Sequence, residues 1–274
     1  MKTAIKFLKI SFFFVVFYIL PGCTKEGYAP NANSLLKKVV SDGYVVDQYT
    51  YNYNNLILEV NGTMFYRRYT YDNNGRLYKE EVAISPNSFS SSAPAGDTHA
   101  FVDPAKTGIS LYSIFKYQNG NLSRQLSYVN KTGQFEFTSM RSFEYNDNNQ
   151  VTRVLLHTTD STVTQYFTYK YDNNGNVTQE DYLTYLFIPA GTGPKLLQTN
   201  TYEYDSYYNP FIIFKQSNSP GIFTNKNNIV KTTTHNFDPF PGSNEYSEST
   251  FSFEYNSQTG FPVRLKNGEE YIYD

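Results

Sequence analysis

The nonamer YTYDNNGRL, Tyr69 to Leu77, is spelled again a hundred residues later as YKYDNNGNV, Tyr169 to Val177. Looser copies surround it: FKYQNGNL (115–122), FEYNDNNQV (143–151), YEYDSYYNPF (202–211) and FEYNSQTGF (253–261), with YTYNYNNL (49–56) a weaker first copy. A repeated unit constrains a chain more than any single motif, because every copy must adopt the same local fold. The spacing is irregular while the unit is not, so the connections vary around a constant module.

Each unit reads as strand, tight turn, strand. In YTYD the two tyrosines stand at i and i+2 and share one strand face. Asp72-Asn73-Asn74-Gly75 puts Asp first and Gly fourth, the preferences of a type I turn, with Gly75 free to take the left-handed conformation that closes a three-residue hairpin loop. Pairing Asp72 with Arg76 then sets Tyr71 opposite Leu77. In FKYQNGNL one residue is missing and the turn becomes Asn119-Gly120, the chemistry of a two-residue type I′ turn. Pairing Gln118 with Asn121 now sets Tyr117 opposite Leu122. Two loop lengths with two turn chemistries preserve one Tyr–Leu pair, which a random low-complexity tract has no reason to do. The copies at 143, with Asn149 in place of Gly, and at 202, with Pro210 after a Gly-less turn, depart from the pattern.

Y-x-Y-D-x-x-G-x-L resembles the YD repeat of Rhs-type proteins, whose hairpins wind into β-shells. From about residue 35 to 274 the chain is similar to a family of bacterial lipoproteins of unknown function with a porin-like fold. The likeness lies in length, lipobox, YD units and the segment NKNNIVK (225–231) before the last units. It implies a fold and carries almost no information on function.

The amino terminus reads as a targeting segment. Lys2, Lys6 and Lys9 precede the apolar run ISFFFVVFYIL (10–20), too short to span a bilayer as a helix, and the run ends in Leu20-Pro21-Gly22-Cys23. Leu, small residues and then Cys resemble a bacterial lipobox. Residues 1–22 are therefore expected to be a lipoprotein signal peptide, Cys23 the lipidated residue, 23–34 a tether and 35–274 one β domain. Cys23 is the only cysteine, so the mature domain has neither disulfides nor thiol chemistry. The expected location is the cell envelope, lipid-anchored in the outer membrane of a Gram-negative bacterium. With 23 basic against 25 acidic residues, no charged half argues for nucleic acid.

The chain ends in YIYD (271–274), the first half of a unit without its second half, and LLKKVVSDGY (35–44) reads as a second half without its first. One unit split between the termini would pair the last strand beside the first. The expectation is an all-β antiparallel meander of about 14 to 16 strands, closed into a wide barrel-like shell; a curved open sheet is the alternative. Residues between the paired aromatics (Thr70, Lys116, Glu144, Lys170, Glu203, Glu254) are mostly charged, so the aromatic face is expected inside. Lys79, Arg124, Arg153 and Gln179, two past the Leu or Val, are counted onto that aromatic face, which then suits hydrocarbon poorly. A true outer-membrane barrel is the inverted alternative.

The wide lumen needs filling, and 211–228 (FIIFKQSNSPGIFTNKNN) breaks the alternation. It is expected to leave and re-enter the turn rim as a plug, with a buried strand pair as the alternative. Long loops (85–108, 188–194, 238–243) gather at the opposite rim, where binding usually sits. GDTHAFVDP there supplies the one loop constellation of interest, Asp97, His99 and Asp103. His157 and His235 share no ligand spacing with it, and DNNG has its Gly at the wrong position for an EF-hand. No cofactor or metal site is expected. The expected function is a non-enzymatic binding or structural shell, whose candidate ligands are a glycan, a peptide or another envelope protein. A carbohydrate-active hydrolase is the alternative, since it requires only two suitably placed carboxylates.

Overall fold

The computed structural model describes residues 35–85, 100–186, 191–214, 220–221, 224–237, 244–266 and 268–273. Residues 1–34, which hold the expected signal peptide, Cys23 and the expected tether, lie outside the described residues. Among the described residues seventeen strands form one antiparallel sheet. They are β1 (Leu36–Ser41), β2 (Tyr44–Tyr51), β3 (Ile57–Gly62), β4 (Phe65–Tyr71), β5 (Leu77–Ile84), β6 (Leu111–Gln118), β7 (Asn121–Lys131), β8 (Gln134–Tyr145) and β9 (Val151–His157). They continue as β10 (Val163–Tyr171), β11 (Val177–Thr184), β12 (Lys195–Tyr208), β13 (Asn227–Phe237), β14 (Asn244–Thr250), β15 (Phe253–Tyr255), β16 (Pro262–Leu265) and β17 (Glu269–Tyr273).

The repeat is a hairpin, and its register is the one the turn chemistry requires. Tyr71 faces Leu77, Tyr117 faces Leu122, and Tyr171 faces Val177. Gly75 and Gly175 have φ of 73° and 88°, and both residues of the short turn, Asn119 and Gly120, lie at positive φ. Asn149 takes the left-handed position (φ 58°) where Gly is missing, a conformation Asn tolerates better than other side chains, so Tyr145 still faces Val151. The weak first copy is complete: Asn55 is left-handed at φ 59°, and Tyr51 faces Ile57. In the copy at 253 the loop is one residue longer, which brings Pro262 rather than Phe261 opposite Tyr255.

The split unit closes as expected. Leu36 of β1 faces Tyr273 of β17, the same pairing that Leu77 makes with Tyr71. A complete ladder around the shell, however, is not formed. Strands pair in chain order from β1 to β14, and β15 pairs through β16 and β17 back to β1, but among the described residues no ladder joins β14 to β15. These two are halves of one run of chain that changes partner at its middle. Phe251 N donates to Val230 O beside β13 at 2.8 Å, whereas Ser252 O accepts from Lys266 N at 2.8 Å. The sheet is therefore not closed by backbone bonds, which corrects the closed barrel. Side chains cross the seam: Tyr255 donates its hydroxyl to Asp205 of β12, and Asp205 also accepts the Asn228 main-chain amide at 3.2 Å.

One feature of the register corrects the assignment of faces. Thr70 pairs with Lys79 while Tyr71 pairs with Leu77, so Tyr78 is an extra residue in a β-bulge. The same bulge follows the turns at Leu122, Val151 and Val177. An extra residue shifts the alternation by one. Lys79, Arg124, Arg153 and Gln179 therefore stand on the outer wall beside Thr70, Lys116, Glu144 and Lys170, not on the aromatic face. Glu144 and Arg153 form an ion pair there at 3.3 Å. Below this charged belt the outer wall carries rings, with Tyr112 stacked on Tyr128 at 4.7 Å.

The aromatic face is inside. Tyr49, Tyr69, Phe115 and Tyr271 are buried with Leu36, Ile57 and Leu77 in one cluster, and Phe143 and Tyr169 with Val154 and Val177 in a second. Each such side chain contributes roughly 1.5–3 kcal/mol by leaving water. The intervening Thr70, Lys116, Glu144, Lys170, Glu203 and Glu254 are all exposed.

The copy at 202 has no turn at its Asp. β12 runs on to Tyr208, and a 3-10 turn (210–214) follows. The chain re-enters at β13, where Tyr204 finds its partner in Ile229. The insertion thus leaves and returns at the turn rim. Its described parts sit on the aromatic side: Phe211 packs edge-on to Tyr271 at a centroid distance of 5.9 Å. Where a buried strand pair was the alternative, Pro210 to Phe214 is instead a 3-10 turn.

Candidate functional site

The second tyrosine of each unit has a chemical role of its own. Tyr51 donates its hydroxyl to Leu36 O at 2.6 Å, and Tyr71 donates to Ile57 O at 2.6 Å. Tyr117 does so to Leu77 O at 3.0 Å, Tyr145 to Leu122 O at 2.8 Å and Tyr171 to Val151 O at 2.7 Å. Tyr204 donates to Val177 O, and Tyr273 to Pro262 O at 2.7 Å. Each acceptor is the carbonyl of the residue that faces the second tyrosine of the preceding unit. The hydroxyls thus stitch every hairpin to the one before it around the inner wall. The eighth, Tyr255, uses the Asp205 carboxylate instead, at the seam where the unit is interrupted. Burial pushes the Tyr117 and Tyr145 hydroxyls up to about 12, so they stay protonated donors at any physiological pH.

A signal for this was present in the repeats. The first aromatic of the pair is Tyr or Phe (Phe115, Phe143 and Phe253 are examples), but the second is tyrosine in every copy. A ring alone satisfies a packed face; only a hydroxyl requirement excludes phenylalanine.

Three of these tyrosines wall a cavity of about 610 Å³ at the turn rim. Tyr117, Tyr145 and Tyr171 form it with Phe143, Leu122 and Val151. Because each hydroxyl reaches sideways to a neighbouring hairpin, the rings lie along the wall and the cavity meets ring carbon. Arg76, Asn121, Asn149 and Gln150 come from the turns, and Pro220 and Thr224 from the inserted segment. Arg76 lies 4.8 Å from the centre of the Tyr117 ring and pairs with Asp72 at 2.7 Å. Asn121 Nδ2 donates to Asn149 Oδ1 at 3.1 Å across two turns. No carboxylate is among the described residues that line this cavity. A volume of this size is within the range of small-molecule sites.

The insertion is held in place by a cluster of buried asparagines. Asn225 Oδ1 accepts the Val177 amide at 2.8 Å, and Asn176 Nδ2 donates to Asn227 Oδ1 at 3.0 Å. Asn209 Nδ2 donates to Asn225 O at 3.0 Å. Beyond the insertion a second cavity of about 300 Å³ lies between β13 and β15–β17, lined by Phe211, Ile229, Phe253, Leu265 and Glu269 among others.

The bulge also gives the inner wall a polar layer that the aromatic pattern does not announce. Glu80 stands opposite Tyr69, buried to 5% exposure, and pairs with Arg67 at 3.1 Å. Burial pushes the Glu80 carboxyl up, against the pull of Arg67. Asp47 is raised by burial, with Arg67 opposing and Glu269 adding to the rise. Glu180, opposite Tyr169, is likewise raised by burial and accepts from Asn200 at 3.1 Å.

Among the loop residues singled out in the sequence, Asp97 and His99 lie outside the described residues. Asp103 caps the short helix Pro104–Thr107, accepting from Ala105 N at 3.0 Å, and it pairs with Lys106 at 3.5 Å. Helix capping accounts for its carboxylate. His157 bonds Ser142 Oγ at 2.8 Å on the outer wall, and His235 stacks on Tyr246 at 4.2 Å. Asp72 is fully engaged by its own turn: Oδ1 accepts from the Asn74 and Arg76 amides, and Oδ2 from the Arg76 guanidinium.

No protein family and no curated protein matches the chain. Among solved structures, a porin-like protein from Bacteroides uniformis ATCC 8492 is similar over 90% of this chain and 100% of its own, at 10% identity and a TM-score of 0.39. A protein of unknown function from Bacteroides fragilis NCTC 9343 covers 53% of this chain and 95% of its own, at 10% identity and a TM-score of 0.37. A DUF3836 family protein from Bacteroides vulgatus ATCC 8482 covers 32% and 91%, at 14% identity and a TM-score of 0.27.

Proposed function

We propose that the protein is a lipid-anchored cell-envelope protein whose β-shell, built from YD-type hairpins, binds a small ligand without transforming it. The observation that carries this reading is the cavity of about 610 Å³ at the turn rim, walled by tyrosines from consecutive units. The absence of a carboxylate among its described lining residues favours binding over hydrolysis, because glycoside hydrolysis needs two. The anchor is Cys23, in the outer membrane of a Gram-negative bacterium. Leu36 pairs with Tyr273 at the turn rim, so a lipid on Cys23 would tether the shell by the rim that bears the cavity. Leu36 lies thirteen residue steps after Cys23, a reach of up to about 45 Å when extended.

Thermal-shift screening against metabolites and glycans tests the binding. A hit is expected to raise the melting temperature of the protein but not of Val151→Phe, which fills the cavity. A hit that is unchanged in this variant, or none across the screen, would count against the site. Membrane fractionation of Cys23→Ser tests the anchor, and release into the soluble fraction is the expected result.

A further inference from the structure

We infer that the turn-rim cavity takes a neutral saccharide, a reading that rests on the cavity being a ligand site. Three observations converge. First, the wall offers ring carbon without free hydroxyl donors, since Tyr145 and Tyr171 give theirs to Leu122 O and Val151 O. Such a wall suits the C–H face of a pyranose, and it has no donor left to single out an anion.

Second, the mouth supplies donors and acceptors side by side. Asn149 accepts from Asn121, and Gln150 Oε1 accepts from Asn146 Nδ2 at 3.0 Å. Asn149 Nδ2, Gln150 Nε2 and Asn121 Oδ1 are then without a hydrogen-bond partner among the described residues. A sugar hydroxyl donates and accepts at once, so adjacent hydroxyls satisfy both kinds of group. An acyl chain would cover these amides and leave them unpaired, at a desolvation cost.

Third, the site is electrically balanced. Its one described charged side chain, Arg76, is held by Asp72 at 2.7 Å. An anionic ligand would have to draw the guanidinium from a carboxylate it already pairs with. A neutral ring with one apolar face and a polar edge meets all three conditions.

Isothermal titration with neutral α- and β-linked trisaccharides of glucose, galactose, mannose and xylose tests this, with decanoate and riboflavin as contrasting probes. At least one trisaccharide is expected to bind. Tyr145→Leu, which removes a ring, is expected to weaken it about tenfold. Asn149→Gly, which keeps the left-handed turn and removes the amide, is expected to weaken it roughly threefold to tenfold. Tyr78→Leu on the outer wall is expected to leave it unchanged, and circular dichroism with melting curves establishes that each variant is folded. Decanoate or riboflavin binding without any trisaccharide, and lost in Tyr145→Leu, would overturn the saccharide and leave the ligand site standing. A trisaccharide bound equally by Tyr145→Leu and Asn149→Gly would place recognition elsewhere and overturn the inference. No binding by any probe would sink both the inference and the ligand site beneath it.

Discussion

The hydroxyl of Tyr117 donates to the main-chain oxygen of Leu77, 3.0 Å away and forty residues earlier in the chain. Leu77 faces Tyr71, and Tyr71 in turn donates to Ile57 O. The unit that sets register within a hairpin therefore also joins that hairpin to its neighbour. Tyr117→Phe keeps the ring and leaves the carbonyl unpaired, so it should cost about 1 kcal/mol of stability. Urea unfolding measures this, and the exposed Tyr78→Phe, changed in the same way, should cost nothing measurable.

Closure of the termini depends on Leu36, which is 1% exposed and faces Tyr273. Leu36→Ala removes a packed side chain at the junction of first and last strands and should destabilise by about 2–5 kcal/mol. Hydrogen exchange should show protection lost first in β1 and β17. Loss spread evenly over the sheet would argue that the junction is not a separate weak point.

The turn positions make opposite predictions for the same geometry. Gly75 stands at φ 73°, so Gly75→Ala imposes a side chain on left-handed backbone at a cost of about 1 kcal/mol. Asn149 already occupies that geometry at φ 58°, and Asn149→Gly should change stability by no more than about 0.5 kcal/mol. Paired urea midpoints distinguish the two.

Asp72 supplies a pH dependence of known sign. The Arg76 side chain, seconded by the Arg76 and Asn74 amides, holds its carboxyl below the ordinary value of 3.8. A lowered carboxyl contributes stability that is present above its unfolded pKa and lost as pH falls through the folded one. Asp72→Asn keeps the turn acceptor, as Asn52 and Asn146 do in sibling turns, but not the charge. The advantage of wild type over this variant should therefore shrink as pH falls from about 5 to about 2. A difference that is constant across that range would assign the effect to shape rather than ionisation.

Asn225 is fully buried, and its Oδ1 takes the Val177 amide. Asn225→Ala strands that amide away from water, at roughly 1–3 kcal/mol. Because the residue anchors the inserted segment, limited proteolysis should cut the variant first between 209 and 226. A cleavage pattern identical to wild type would show that the segment is held by other contacts.

Read alone, the sequence determines the hairpins, the pair that closes each regular turn and the pairing of the two ends. These follow from contacts a few residues long, Asp or Asn at the first turn position and a left-handed residue at the last, repeated until a split copy has one partner left. The choice of tyrosine at every second aromatic was legible too, although its meaning was not. A strand's next neighbour around the wall is set by winding, so no local rule pairs Tyr117 with Leu77 O. Only the tertiary structure decided which side chains face inward beyond each turn. The bulge residue, Tyr78 in the copy at 69, is spaced like any other, yet it moves Lys79 to the outer wall and Glu80 to the lumen. It also decided that Asp205 would bond Tyr255 across an open seam instead of making a turn. The cavity belongs to the same class, because it arises where an insertion from β12 returns over tyrosines of units far away in the chain. Local chemistry shapes each module, while a site between modules exists only once they are wound against one another.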